Sequence, residues 1–173
     1  MNHSSHYPRG SGFQGKIVGR GVLLDYAAYA ESKGIQYIPC EQHLITAEDL
    51  DACAKAQKVE FRQGDILFVR MGYVNWYNKA DVTQRVKASN VPTHAVGVRQ
   101  TEAELEWLWS VYILKILICF TQVSPRNHHF AAVVCDAPAF EARPCIQEWN
   151  LHDYLLALWG VSSVSCFFFA TAR

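Results

Sequence analysis

No Cys-x-x-Cys pair occurs among the six cysteines of this chain, at positions 40, 53, 119, 135, 145 and 166. The spacing gives no paired-cysteine metal or redox motif, and it lacks the density of a disulfide-stapled secreted scaffold. Reduced, mostly buried thiols in a cytoplasmic protein are expected. An excess of charge is missing too: 16 Lys and Arg stand against 16 Asp and Glu. A polyanion binder would show a basic surplus, so no nucleic-acid partner is expected. No apolar run has the length of a membrane span, which takes about 20 residues. The most apolar stretch, Val111–Phe120, is short and is interrupted by Lys115. The opening MNHSSHYPRGSGFQG lacks the apolar region of a signal peptide. Internal repeats and low-complexity segments are absent as well.

What is present is a chain of 173 residues, half of them hydrophobic. That is one domain, large enough to bury roughly 70% of its unfolded surface without staples. Residues 1–16 read as a loose polar tail. Ile17–Leu24 is β-rich, with Gly19 and Gly21 interrupting it, and Asp25 ends it. Tyr26–Lys33 predicts a helix closed by Gly34. Thr46 and Asp49 make a capping box, with Ile45 and Leu50 as a hydrophobic staple, for a helix to about Gln57. Ile66–Val69 is a buried-strand run behind a Gln-Gly-Asp turn. Asn75–Val96 is polar and irregular and predicts a long loop with at most one helical turn. Thr101 and Glu104 open a further helix, and Phe130–Cys135 reads as a strand ending at Asp136-Ala137-Pro138. Asn150 and Asp153 cap a last helix whose apolar positions 151, 155, 156 and 159 form one stripe. Strands alternating with helices indicate an α/β domain.

Several small constellations carry little. Gly10-Ser-Gly12-Phe-Gln-Gly15 fits the dinucleotide pattern in letters only, because a tail precedes it and a strand follows. His3 and His6 sit in the tail with no acid or thiol nearby in sequence. His128 and His129 are adjacent, so in an extended chain they point to opposite faces and favour packing over a shared site. His94, in THAVGV, is a candidate substrate contact, with a solvated loop histidine as the blander alternative. Asp136 at a strand end suits either an α/β site or a turn cap. His152 is the best candidate. It lies in the first turn of a capped helix, beside the apolar stripe, where the positive end of the helix dipole favours a neutral imidazole able to act as base or ligand; from spacing alone, a plain polar-face histidine is the favoured alternative.

Five segments, GRGVLLDY (19–26), VEFRQGDILFVRMGYVNWYN (59–78), TEAELEWLW (101–109), HHFAAVVCDAPAFE (128–141) and LHDYLLALWG (151–160), together resemble the cyclase family of metal-dependent hydrolases. That family includes the bacterial-type kynurenine formamidases, and the likeness is nearest its longer fungal and bacterial branch. It covers most of residues 17–160, in order. The resemblance implies a swivelling α/β domain with a central mixed sheet and flanking helices, incomplete at both ends, and a homo-oligomer where the domain is whole. It also implies hydrolysis of the C–N bond of a small-molecule amide such as N-formylkynurenine, or of a cyclic amide or ester. Zinc or manganese would activate the water. His152 matches the family histidine placed for proton transfer, and Arg70, Tyr73 and Trp76 (with Tyr77) fall where the chain approaches the substrate pocket.

Two departures accompany the match. The family's principal metal motif, a His/Asp cluster of HxGTHxD type, is not found before Gly19, and no acid occurs in Val161–Phe169 where one is expected. No residue is therefore assigned as a metal ligand. Residues 111–126 read as an atypical insertion and 161–173 as an atypical tail, and both begin like translated intron donor sites. A non-catalytic α/β binding or oligomerisation module that keeps only the scaffold is the alternative.

Overall fold

The computed structural model describes residues 18–90, 93–108, 128–158 and 162–165. In chain order the elements are β1 (Gly21–Asp25), α1 (Tyr26–Ser32), β2 (Leu44–Ile45), α2 (Ala47–Ala56), β3 (Ile66–Arg70), α3 (Tyr73–Lys79), α4 (Val82–Ser89), β4 (Gly97–Val98), α5 (Glu102–Leu108), β5 (Ala132–Cys135), a π-helix (Asp153–Leu158) and β6 (Ser162–Ser165). The main sheet runs β1-β3-β5-β6, and β2 pairs with β4 in a second, smaller sheet. The α/β architecture expected from the alternation of elements is the one seen. The expected mixing of strand directions is not, because all the named strand pairs are parallel. Among the described residues, antiparallel pairing is confined to an isolated bridge between Ala95 and Arg143. Ser162–Ser165, within the segment set apart above as a tail, forms β6 against β5.

The pairing of β1 with β3 explains the GRGVLLDY and GDIL segments. Gly21 stands opposite Ile66 and Asp25 opposite Arg70. An ion pair closes each end. Arg20 grips the buried Asp65 through Nε at 2.8 Å and Nη2 at 2.6 Å, and Arg70 Nη2 reaches Asp25 Oδ2 at 2.6 Å. Asp65 also accepts the Arg62 N–H at 2.7 Å, which closes the turn into β3. A carboxylate at this depth needs all of these partners.

Alternation along the strands divides the sheet into two faces. Val22, Leu24, Leu67, Val69, Val133 and Cys135 point to the core, against Tyr26 and Ala30 of α1 and Leu50, Cys53 and Ala54 of α2. The opposite face is more open: Leu23 is 52% exposed. The α2 capping box is complete, with the Asp49 N–H on Thr46 Oγ1 at 3.1 Å and the Thr46 N–H on Asp49 Oδ2 at 3.0 Å. Gly34 follows α1 at φ 71°, as its C′ role requires.

Burial also sets thiol chemistry. Cys53 is fully buried, and that burial, with Asp25 nearby, pushes its thiol up to about 11. We expect Cys53 to resist iodoacetamide at pH 8 in the folded chain and to react once urea unfolds it, as read by peptide mass mapping. Labelling of folded Cys53 at the rate of an exposed thiol would contradict this packing.

Three expectations are corrected. The segment read as a loop over Asn75–Val96 contains most of α3 and all of α4. It was hidden because α4 has almost no apolar stripe: Val82 and Val86 are 75% and 55% exposed, and its one buried residue is Ala88. End chemistry defines α4 instead, through a capping box of Asp81 with Gln84. The last helix widens into a π-helix from Asp153, which keeps Leu151 and Leu155 buried and turns Leu156 outward at 48% exposure. His129 is not extended, with φ at 38°, while His128 packs among Phe61, Trp107 and Phe130. The atypical stretch 111–126, the Gly10–Gly15 pattern, and His3 and His6 lie outside the described residues.

Candidate functional site

Among the described residues, the most organised polar cluster surrounds His152. The chain leaving β5 turns back along β4: the Val98 N–H donates to Phe140 O at 2.9 Å and the Ala142 N–H to Val98 O at 3.0 Å. Ala95 and Arg143 exchange both of their backbone hydrogen bonds. This holds Glu141 with its side chain 1% exposed. Gly97 makes the approach possible, since a Cβ there would collide with the backbone of Glu141 and Ala142.

The Glu141 carboxylate is met on Oε1 by His152 Nδ1 at 2.6 Å and by Arg143 Nη2 at 2.9 Å. Arg143 also donates from Nη1 to Cys145 Sγ at 2.8 Å, and the Cys145 thiol donates to Asn150 Oδ1 at 2.8 Å. Asp153 accepts the Asn150 N–H at 2.8 Å, so the expected cap is made from the Asp153 side. That bond, with the Asn150 side chain, holds the Asp153 carboxyl below its usual range. Toward a carboxylate, which can only accept, Nδ1 of His152 is the donor, and in that tautomer of the neutral ring Nε2 presents its lone pair. Nε2 stands 3.7 Å from Asp153 Oδ1, beyond hydrogen-bond distance. The His152 side chain is 37% exposed, which lets Nε2 reach solvent or substrate.

A second group lies at the C-terminal ends of β1, β3 and β5, the edge where open α/β sheets place ligands. Asp25, Arg70 and Asp136 come together there. Arg70 is held cationic chiefly by its hydrogen bond to Asp25. Asp136 accepts the N–H groups of Met71 at 2.5 Å and Gly72 at 3.0 Å. It therefore caps the entry to α3 and not the turn that follows it in sequence. Burial pushes the Asp136 carboxyl up, and the N–H groups of Met71, Gly72 and Val74 pull it partly back. A raised carboxyl weighs against the folded state above its folded pKa, and the weight lifts as pH falls through that value. Tyr37 Oη donates to Met71 O at 2.7 Å, and burial, with Asp136 beside it, pushes this phenol up to about 12.

Arg70 thus sits in a polar group at the sheet edge. Tyr73 is 2% exposed and packs with Trp76, ring centroids 5.5 Å apart, at the start of α3. His94 is exposed just before the Ala95–Arg143 bridge. His152 makes its polar contacts with Glu141 and Asp153 and with none of these four. Sequence reasoning missed Glu141. The only local signal was a lone acid between apolar neighbours in Ala-Phe-Glu-Ala.

Zinc or manganese would ordinarily need three protein ligands. Among the described residues no group of three His, Cys, Asp or Glu converges to hold an ion. The donors around His152 do not fit such a centre by themselves: Glu141 is spent on Arg143 and His152, and one oxygen of Asp153 on Asn150.

A family model described as Putative cyclase matches residues 4–119. The match takes in the polar opening and the first part of the 111–126 stretch, and it ends before β5 and His152. In a comparison with solved structures, the crystal structure of a novel cyclase superposes on 87% of this chain with TM-score 0.61 and 22% identity. The chain spans 40% of that structure's length. No curated protein matches it. With most of its length under one family model and the same fold in a solved cyclase, the chain belongs to the Putative cyclase family.

Proposed function

We propose that this chain is a hydrolase of amide C–N bonds, of the arylformamidase or cyclase kind, with His152 as its general base and Glu141 as the residue that positions it. The observation that carries the reading is the 2.6 Å contact between His152 Nδ1 and the buried Glu141 carboxylate. A base whose second nitrogen is locked by a buried acid has one tautomer and one orientation. In the reaction, Nε2 takes a proton from water as its oxygen bonds to the carbonyl carbon. The C–N bond then breaks, and the proton passes from Nε2 to the leaving nitrogen, yielding a carboxylic acid and an amine. Zinc or manganese, the cofactor the family resemblance implies, would polarise the carbonyl and activate water, but it would need ligands beyond the donors around His152.

The test is hydrolysis of N-formylkynurenine, formanilide and a hydantoin by the intact chain and by His152→Asn, with and without added Zn or Mn. Turnover that disappears in His152→Asn supports the proposal, and turnover by neither protein sinks it. One observation favours the second reading, a non-catalytic binding or oligomerisation module. Parallel sheets are normally covered on both faces, yet Leu23 on β1 is 52% exposed. A folded chain without turnover would leave that reading standing.

A further inference from the structure

Residues 35–43 join α1 to β2 as an irregular strap tied to three other parts of the chain. Its backbone accepts from β4 and from the residue before it: the Val96 N–H donates to Pro39 O at 3.0 Å and the Gly97 N–H to His43 O at 3.1 Å. Its side chains reach further. Tyr37 Oη donates to Met71 O beyond β3, and Gln42 Nε2 donates to Pro144 O at 2.6 Å. The strap therefore holds both segments whose contact delivers Glu141 to His152, residues 96–98 and 140–144.

One side chain fastens the strap to α1. The His43 ring stacks on Tyr37, with centroids 4.4 Å apart and planes 12° from parallel, and Tyr26 Oη lies 2.9 Å from His43 Nε2. Burial, with Asp49 nearby, holds the Tyr26 phenol well above its ordinary range, so the hydroxyl keeps its proton. Tyr26 is 1% exposed, and among the described residues its hydroxyl has no other partner. The hydroxyl therefore donates to Nε2, and the neutral ring carries its proton on Nδ1. A proton on Nε2 sets two donors against each other. The hydroxyl can turn to accept, but its own hydrogen is then stranded in the core without an acceptor. Two neighbours favour the charged ring, the face of Tyr37 in the strap and the Asp49 carboxylate of α2. Burial outweighs Asp49 and holds the His43 imidazole below its ordinary range. Tyr29 of α1 and Cys53 of α2 act on Tyr26 rather than on His43, and β4 meets His43 through the uncharged Gly97 N–H.

We propose that His43 is an acid-released latch: a proton taken up at Nε2 breaks its bond with Tyr26 and frees residues 35–43 from β4. The released imidazole reaches water, where it holds the proton with its ordinary value of about 6.5. A base held below that value in the fold stabilises the closed strap above about pH 6.5. That contribution is lost as pH falls from there toward the folded value. Between pH 7.5 and 5.5, protonation favours the open strap by about tenfold. The latch goes beyond the hydrolase reading and does not depend on what the site catalyses.

Amide hydrogen exchange of the full chain, corrected for the intrinsic rate at each pH, reads the latch at the Val96 and Gly97 N–H groups that the strap protects. Their protection is expected to fall about tenfold from pH 7.5 to pH 5.5. In His43→Gln, whose amide oxygen can still accept from Tyr26 and takes up no proton, the protection of the same two amides should change little. The Leu50 N–H, bonded to Thr46 O in α2, should stay better protected than either at both pH values. Unchanged protection in the wild-type chain, or an equal loss in His43→Gln, overturns the proposal. So does finding Val96 and Gly97 as well protected as Leu50, which would place their exchange in global unfolding. Where circular dichroism shows that His43→Gln does not fold, the His43 ring decides. Its NMR titration in the wild-type chain should have a midpoint below about 6.5, and a midpoint at or above that value overturns the latch.

Discussion

Glu141→Gln is expected to lower kcat on an aryl formamide by on the order of 10²–10⁴-fold, with KM little changed. The carboxylate is nearly isosteric with the amide, so packing around a side chain 1% exposed should survive. The chemistry does not. A carboxylate can only accept at His152 Nδ1, whereas the amide NH₂ of Gln can donate there and place the imidazole proton on Nε2, where the lone pair is needed. Arg143 also loses its charged partner at 2.9 Å. The readout that separates positioning from mere structure is the split between kcat and KM. A structural defect weakens both, while a misoriented base slows turnover of substrate that still binds. Glu141→Asp, which restores the acceptor on a shorter arm, should recover part of the rate. Equal kcat for wild type and Glu141→Gln in folded protein would remove Glu141 from the mechanism.

The second large effect needs no active-site atom. Gly97→Ala is expected to cost about 3 kcal/mol or more, because the new methyl has only the backbone of Glu141 and Ala142 to push against. Neither can rotate away as a side chain would. Relief requires opening the contact between β4 and residues 140–143 that delivers Glu141 to His152. Stability and turnover should therefore fall together. The control is Gly34→Ala, where the added methyl meets open space and the cost is only that of holding φ 71° without glycine, about 1–2 kcal/mol. Urea denaturation of both variants reads the difference. Gly97→Ala no less stable than Gly34→Ala would mean that the two segments are not so tightly apposed.

Local signals carried much of this fold. Thr46 with Asp49, Gly34 after α1 and the apolar run of β3 each act through neighbours a few residues away, so they stand legibly in the chain, although β3 buries only alternate residues. The failures share a cause. α4 lacks an apolar face, and the π-helix at Asp153 changes the period on which the stripe argument rests. Glu141 takes its meaning from His152, Arg143 and Gly97, partners that only the fold supplies. His152 stands out in the chain because a helix N-terminus can be read locally. Arg70 was placed near a pocket by resemblance. Its pairing with Asp25, however, is a matter of strand register, which a single sequence does not spell out.

The parallel wiring of the sheet has a consequence for the growing chain. β1 cannot pair until β3 exists, and the ion pair that seals their junction joins Arg20 to Asp65, 45 residues later. At about 5–20 residues per second, synthesis leaves GVLL without its native neighbour for roughly 2–9 s. Helices with good caps, such as α2, can close in microseconds or less during that wait. The strand has no such recourse, and its flanks matter for that reason. Arg20 and Asp25, which later clamp the sheet, first stand as opposite charges at the two ends of a bare apolar run, where they discourage pairing with another nascent chain. The same two residues therefore guard the strand on the ribosome and fasten it in the finished protein.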